Sequence, residues 1–210
     1  NSERYFRKVD RIAEALDSVP GALPDIIGLV EIESKSCLEA LLKSPRLQNG
    51  NYDILITEGQ DVRNIDVALL YDKTVFKLQQ VQHISATNPE SPKNKTRDIL
   101  YAHLKYWNES VHVFVVHWPS RIGGREETEP KRIYAAEQVR KKVDSIQKVQ
   151  PNAKIMIMGD FNDTPENKSI AEILKAKEKA EKPDEFSNPW MPMHKAGEGT
   201  YYFQESWNML

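Results

Sequence analysis

Lys154-Ile155-Met156-Ile157-Met158-Gly159-Asp160-Phe161-Asn162-Asp163 is the stretch on which the fold turns. An apolar run ended by Gly reads as a strand buried on both faces. Strand side chains alternate, so Asp160 and Asn162 are placed to leave the strand end on one side. A carboxylate and an amide held together there suit a hard cation with a water or phosphate beside it. The ordinary use of Asp and Asn after a strand is an Asx turn, and that reading stands beside the functional one. A calcium-binding EF-hand loop is excluded: counted from Asp160, Pro165 stands where Gly is needed and Ala171 where Glu is needed.

Two more strands end in the same way. Asp25-Ile26-Ile27-Gly28-Leu29-Val30-Glu31 is apolar and closes on a carboxylate. Val111-His112-Val113-Phe114-Val115-Val116-His117-Trp118-Pro119-Ser120-Arg121 closes on His, then Pro and Arg. Taken singly, a strand-end Glu is most often a surface residue and a lone strand-end His is most often structural. Together, three apolar strands each deliver a polar group at the C-terminal edge, where open α/β sheets place their ligands.

These residues resemble the endonuclease/exonuclease/phosphatase superfamily, which includes deoxyribonuclease I, abasic-site endonucleases, inositol-polyphosphate 5-phosphatases and neutral sphingomyelinases. The matching pieces occur in family order: Gly28-Leu29-Val30-Glu31, Ile65-Asp66-Val67-Ala68-Leu69-Leu70-Tyr71, His117-Trp118-Pro119-Ser120-Arg121 and Gly159-Asp160-Phe161-Asn162. Gly-Asp-Phe-Asn is the most specific, the ordered set runs from Gly28 to Asn162, and the resemblance covers nearly the whole chain. The resemblance implies an α/β, deoxyribonuclease I-like four-layer sandwich: two packed, mainly antiparallel or mixed sheets flanked by helices. It implies metal-dependent hydrolysis of a phosphoester, with water attacking in line at phosphorus.

Residue by residue, the resemblance selects Glu31 as ligand to Mg2+ or Mn2+; Glu33, two residues on, is the alternative that the residues alone leave open. Asp160 would orient or deprotonate the attacking water, and Asn162 would donate to the transferring phosphoryl group. His117 would contact the phosphate. Arg121 and Arg125 follow on a Gly-containing loop and suit bidentate phosphate contacts, or solvent. Trp118 suits stacking on a substrate group, with core packing the plainer account. Arg97, like Asp66, lies in a family-typical stretch and is expected at the substrate or in a supporting pair. The substrate class spans nucleic acid, phosphoinositide or sugar phosphate, and phospholipid headgroup. The competing reading is a non-catalytic binding module on the same scaffold.

The family's first-strand Asn has no counterpart before Asp25, and its late Asp and Ser-Asp-His do not follow Glu205-Ser206-Trp207-Asn208-Met209-Leu210. The expectation is a single domain over residues 1–210, incomplete at both ends.

Composition agrees with one core-forming domain: 210 residues, 40% of them hydrophobic. Charged residues make up 29% yet the net charge is −2, which lacks the basic footprint of a dedicated nucleic-acid binder. No apolar run approaches the ~20 residues of a membrane span, and no signal peptide is legible. Cys37 is the sole cysteine, which excludes an internal disulfide and cysteine zinc sites; its helical setting points to core packing. Sequons at Asn94, Asn108, Asn162 and Asn167 include one in the proposed site, so all are read as unused. That favours a bacterial or intracellular context; the compartment is left open between a soluble bacterial cytoplasmic protein and an exported one whose leader has been lost. Nothing in the sequence implies an obligate protein partner.

The periodicity predicts a helix over Glu3–Val19, with Phe6, Val9, Ile12, Ala13 and Leu16 on one face. A second helix is expected over Lys35–Lys43, capped by Ser34. Strands are expected at Asp25–Ile32, Tyr52–Thr57, Ile65–Tyr71, Val75–Ile84, Ile99–Tyr106, Val111–His117 and Lys154–Met158. A long helix should start at Pro130 and end near Val149, and a short charged helix should cover Ser169–Lys179. Pro183–Gly199 reads as a long loop, and the final segment from Glu205 as the start of a strand.

Overall fold

The computed structural model describes residues 2–59, 63–91, 95–203 and 206–210. Its centre is two sheets face to face. The first has strand order β1-β3-β2, from β1 (Ile26–Ile32), β2 (Tyr52–Ile56) and β3 (Asp66–Asp72), all antiparallel. The second has order β4-β5-β6-β7, from β4 (Lys77–Ile84), β5 (Ile99–Tyr106), β6 (Glu109–His117) and β7 (Lys154–Asp160). Its first three strands are antiparallel, and β7 joins β6 in parallel. A parallel neighbour needs a long crossover. Helix α3 (Arg125–Val149) supplies it.

Strand alternation builds four layers. Val67, Leu69 and Tyr71 of β3 meet Leu100, Ala102 and Leu104 of β5 and Val113 and Val115 of β6 between the sheets. The intervening residues point outward. Ala68 and Leu70 pack with Leu38 of helix α2 (Lys35–Leu42), and Leu16 of helix α1 (Ser2–Asp17) joins them. Tyr101, Phe114 and Val116 pack under Ala135, Ala136, Val139 and Val143 of α3. Both faces of the central strands are thus covered, which is why their sequences read as continuous apolar runs. This is the expected sandwich of two sheets flanked by helices.

Three expectations need correction. Helix α3 begins at Arg125, with Pro130 inside it. Proline costs a backbone bond there, but the first turn is tied down by side chains: Thr128 Oγ1 donates to Gly124 O at 2.6 Å, and Arg132 Nη2 donates to Arg125 O at 3.0 Å. The helix expected over Ser169–Lys179 is a single π-helical turn, Ser169–Ile173, followed by strand β8 (Ala176–Lys177). Lys175 takes φ 58 and stops the helix, and its amine pairs with Asp184. The loop over Pro183–Gly199 contains strand β9 (Phe186–Ser187), parallel to β8, and the short helix α4 (Met191–Lys195).

Strands β10 (Tyr201–Phe203) and β11 (Ser206–Asn208) form a hairpin near the C-terminus; Glu205, where the last strand was expected to start, lies outside the described residues, as does Asn94. Cys37, expected in the core, is half-buried beside Ser34 Oγ. No helix among the described residues is long and apolar enough to cross a membrane.

Candidate active site

The register of β6 and β7 sets the site. His117 pairs with Asp160 and Val116 with Gly159, so the two polar residues end neighbouring parallel strands side by side. His117 Nε2 stands 3.7 Å from Asp160 Oδ2, with the imidazole buried and the carboxylate one-third exposed. Trp118 N donates to Asp160 O at 2.9 Å, which carries the pairing one residue past the strand.

Beyond β7 the chain turns on Asn162, at φ 51. Asn162 N donates to Asp160 Oδ1 at 2.8 Å, so the Asx-type turn is present. The turn and the site coincide, because this bond fixes the carboxylate while Asp160 Oδ2 stays toward His117. Asn162 Nδ2 donates to Trp118 O at 3.0 Å. An amide carries two N–H donors, so this contact uses one of them.

Glu31 arrives from the other sheet. The β1–β3 register is irregular between Leu29 and Ile32, and Glu31 sits in that bulge at φ 59. Bulges re-aim side chains, and a non-glycine residue at positive φ is uncommon enough to notice. Among the described residues, five other than glycine take positive φ, and Glu31 and Asn162 are two of them. The Glu31 carboxylate is exposed and near enough to act on Asp160. Glu33 acts instead on Tyr5 of α1.

Burial pushes the Asp160 carboxyl above the ordinary aspartate range. The Asn162 N–H and the Arg97 guanidinium oppose that shift, Glu31 reinforces it by like-charge repulsion, and Arg121 opposes it again. Two carboxylates that repel one another across an exposed edge are a suitable donor set for a small divalent cation. Magnesium takes one or two protein carboxylates and keeps several waters, so it does not require a larger cluster. No group of three or more acidic, His or Cys side chains occurs among the described residues, and a site of this kind does not call for one.

The remaining predicted residues sort differently. Trp118 is wholly buried, packed edge-on to Phe161 with ring centroids 5.0 Å apart. The expected stacking on substrate is therefore corrected to a packing role. Arg97 is buried, and its Nε and Nη2 donate to the carbonyl oxygens of His117 and Trp118 at 3.2 and 2.7 Å. Arg121 donates from Nε to Asn162 O at 2.7 Å and from Nη2 to Asn167 Oδ1 at 3.2 Å. Both arginines thus hold the backbone on which Asp160, Asn162 and His117 stand. Arg125 is exposed at the start of α3. Asp66 accepts from Thr57 Oγ1 and Gly59 N, both at 2.8 Å.

Sequence reasoning missed Asp163 and Arg132. Asp163 is buried; it accepts from Ser169 Oγ at 2.5 Å and faces Arg132 Nε at 2.8 Å. The available signal was a charge on an apolar face: Arg132 lies four and seven residues before Ala136 and Val139 on the buried stripe of α3. Asn167 was missed as well. Its Oδ1 accepts from Thr164 N at 2.7 Å and Thr164 Oγ1 at 2.9 Å, besides Arg121.

The chain belongs to the Endonuclease/Exonuclease/phosphatase family, whose model matches residues 1–210. Its fold is shared with several solved structures. Truncated TDP2 of Caenorhabditis elegans is 21% identical over 79% of this chain and 59% of its own, with a TM-score of 0.61. The mannosyl-6-phosphatase of Bacteroides thetaiotaomicron is 16% identical over 81% of this chain and 62% of its own, with a TM-score of 0.63. The human Nocturnin catalytic domain with bound sulfate is 18% identical over 71% and 56%, with a TM-score of 0.55. The chain therefore spans less than two thirds of the length of each. No curated protein matches the sequence.

Proposed function

We propose that this chain carries the catalytic centre of a divalent-metal-dependent phosphoester hydrolase. The observation that carries the reading is the convergence of His117, Asp160 and Asn162 from one sheet and Glu31 from the other. Family membership supports it.

The chemistry asks for a base, a phosphate contact and fixed donors. Asp160 is held in place through Oδ1 by Asn162 N, which leaves Oδ2 to take a proton from water as its oxygen bonds to phosphorus. The P–O ester bond breaks on the opposite side, and its electron pair leaves with the alcohol oxygen, which takes up a proton. His117 Nε2 and the second Asn162 N–H would serve as donors to the phosphoryl oxygens, where negative charge must be met by preorganised groups. Glu31, with Asp160 at its margin, would hold Mg2+ or Mn2+, which when bound supplies charge neutralisation at the phosphoryl group.

The test is turnover of a phosphoester panel with Mg2+ or Mn2+, comparing wild type with Asp160→Asn. The variant keeps the side chain's size and removes its charge. A fall in kcat of about 100- to 1000-fold with the fold preserved is the expected result. Equal rates in the two proteins would refute the mechanism, and a wild type inert across the panel would favour a binding module on this scaffold.

A further inference from the structure

A cavity of about 570 Å3 opens beside the proposed centre, between the segment that leads into β5 and the first turns of α3. Such a volume lies within the range of small-molecule sites. Arg97 belongs to both places: it lines the cavity, and its guanidinium holds the carbonyl oxygens of His117 and Trp118. A substrate whose reacting phosphate lies at His117 therefore has the cavity next to it.

The walls are cationic in a chain of net charge −2. Among the described residues, Arg63, Lys95, Arg97 and Lys131 line the cavity against one carboxylate, Glu127. On a convex surface such residues would be a solvated charge run. In a concavity they focus positive potential on whatever enters. Thr96, between Lys95 and Arg97, adds a buried hydroxyl with no hydrogen-bond partner among the described residues. Thr96 N donates to Thr87 Oγ1 at 3.1 Å, which fixes the segment.

Resting on the hydrolase reading, we propose that this cavity is a subsite for a second phosphoryl group, so that the favoured substrates are phosphoesters carrying two. Lysine ammonium groups serve as point-charge phosphate contacts, and two lysines, Lys95 and Lys131, line this cavity. The body of the substrate would bridge the two phosphates across Pro119.

The experiment is calorimetric binding to the full chain in EDTA, which removes turnover from the measurement. The probes are glucose-1,6-bisphosphate and glucose-6-phosphate. Wild type should bind the bisphosphate about tenfold more tightly, the effect of one added charge-assisted contact. The Lys95→Ala/Lys131→Ala double variant should lose that preference, and Lys131→Glu alone should reduce it, with urea unfolding confirming that both variants fold. Equal affinity of wild type for the two probes, binding of neither, or a preference that survives the double variant would overturn the subsite. Asp160→Asn separates the two proposals: its preference should persist while hydrolysis is lost. If the hydrolase reading fails, turnover is absent with the preference intact; if the subsite fails, turnover proceeds without the preference.

Discussion

Arg132 Nε stands 2.8 Å from Asp163 Oδ1, and both side chains are closed to solvent. This pair joins the second turn of α3 to the loop that carries Asn162. Arg132 Nη1 also donates to Thr128 Oγ1 at 2.8 Å and Asp163 Oδ2 accepts from Ser169 Oγ, while Nε and Oδ1 face each other as opposite charges without hydrogen-bond alignment. The long crossover helix is thereby locked to the strand end that it was built to reach. Placement of the candidate catalytic groups depends on a contact that itself touches no substrate.

Breaking that pair should cost more than its exposed counterparts. Removing one partner of a buried ion pair leaves an uncompensated charge and typically costs about 3–5 kcal/mol. Asp163→Ala should lower stability by that amount in urea unfolding. Glu109→Ala, which removes the exposed partner of Lys154, should cost less than about 1 kcal/mol. Comparable losses in both would show that Asp163 is not an anchor.

Gly159 should tolerate no side chain. Its φ is +132, and an added Cβ would stand 2.0 Å from Val116 O, a backbone atom of the neighbouring strand. An added Cβ at Gly28 would meet Met158 Sδ at 2.6 Å, near the end of a side chain that can move. Gly159→Ala should therefore destabilise by at least about 2 kcal/mol more than Gly28→Ala, from backbone strain and overpacking together. Equal midpoints in thermal or urea unfolding would contradict this account.

The sandwich was legible because its central strands are covered on both faces, so each reads as an apolar run ended by Gly or a polar residue. Of the four site residues only His117 ends a strand covered on both faces. Glu31 and Asp160 lie at the ends of the edge strands β1 and β7, and Asn162 lies just past β7. Strand β7, expected to be buried on both faces, alternates between half-buried and exposed residues along most of its length, so the apolar run there marked the strand end but overstated its burial. What the sequence hid was the division of labour among the polar groups around them. Arg97, Trp118 and Arg121 occupy motif positions, yet their contacts are to protein, and only coordinates separate a side chain that touches substrate from one that holds the backbone beneath it. The helix expected over Ser169–Lys179 failed because its pattern is local, whereas Ser169 bonds to Asp163 and Lys175 pairs with Asp184. The cationic cavity was hidden because Arg63, Lys95 and Lys131 are far apart in sequence and each looks like ordinary surface charge.

Acid should loosen the far end of the second sheet. His103 and His112 pair directly across β5 and β6, with rings stacked and centroids 4.5 Å apart. Burial lowers the pKa of both, with Lys105 and Lys142 adding to the effect on His103, and His103 and Lys142 on His112; the Gln150 hydrogen bond opposes it at His112. Around them, His112 Nδ1 meets Tyr101 OH at 2.9 Å and His103 Nε2 meets Ser110 Oγ at 3.0 Å. A histidine whose pKa is lower folded than unfolded binds more protons when unfolded. Its stability contribution is therefore whole above the unfolded value of about 6.5 and is lost as pH falls below it. The urea midpoint of wild type should fall between pH 7.5 and pH 5.5, and His103→Gln should flatten that dependence. A midpoint that rises in acid would reverse the assignment.

Arg121 offers the sharpest test of whether motif residues act directly or through the backbone. Its Nε donates to Asn162 O and its Nη2 to Asn167 Oδ1, 3.6 Å from Asp163 Oδ1, while burial lowers its pKa. These are the directed donors of a planar fork, and a lysine ammonium cannot reproduce both at once. If Arg121 positions Asn162, then Arg121→Lys and Arg121→Ala should lose kcat to a similar extent, by about 10- to 100-fold, as small misplacements of catalytic groups do. The KM should change less than kcat, because the lost interaction lies behind Asn162 and not on the substrate. A direct phosphate contact predicts the opposite: Arg121→Lys would recover much of the activity through its retained charge, and Arg121→Ala would act chiefly on KM. Steady-state kinetics of the two variants with one phosphoester substrate distinguishes these outcomes, and rescue by lysine would refute the positioning role.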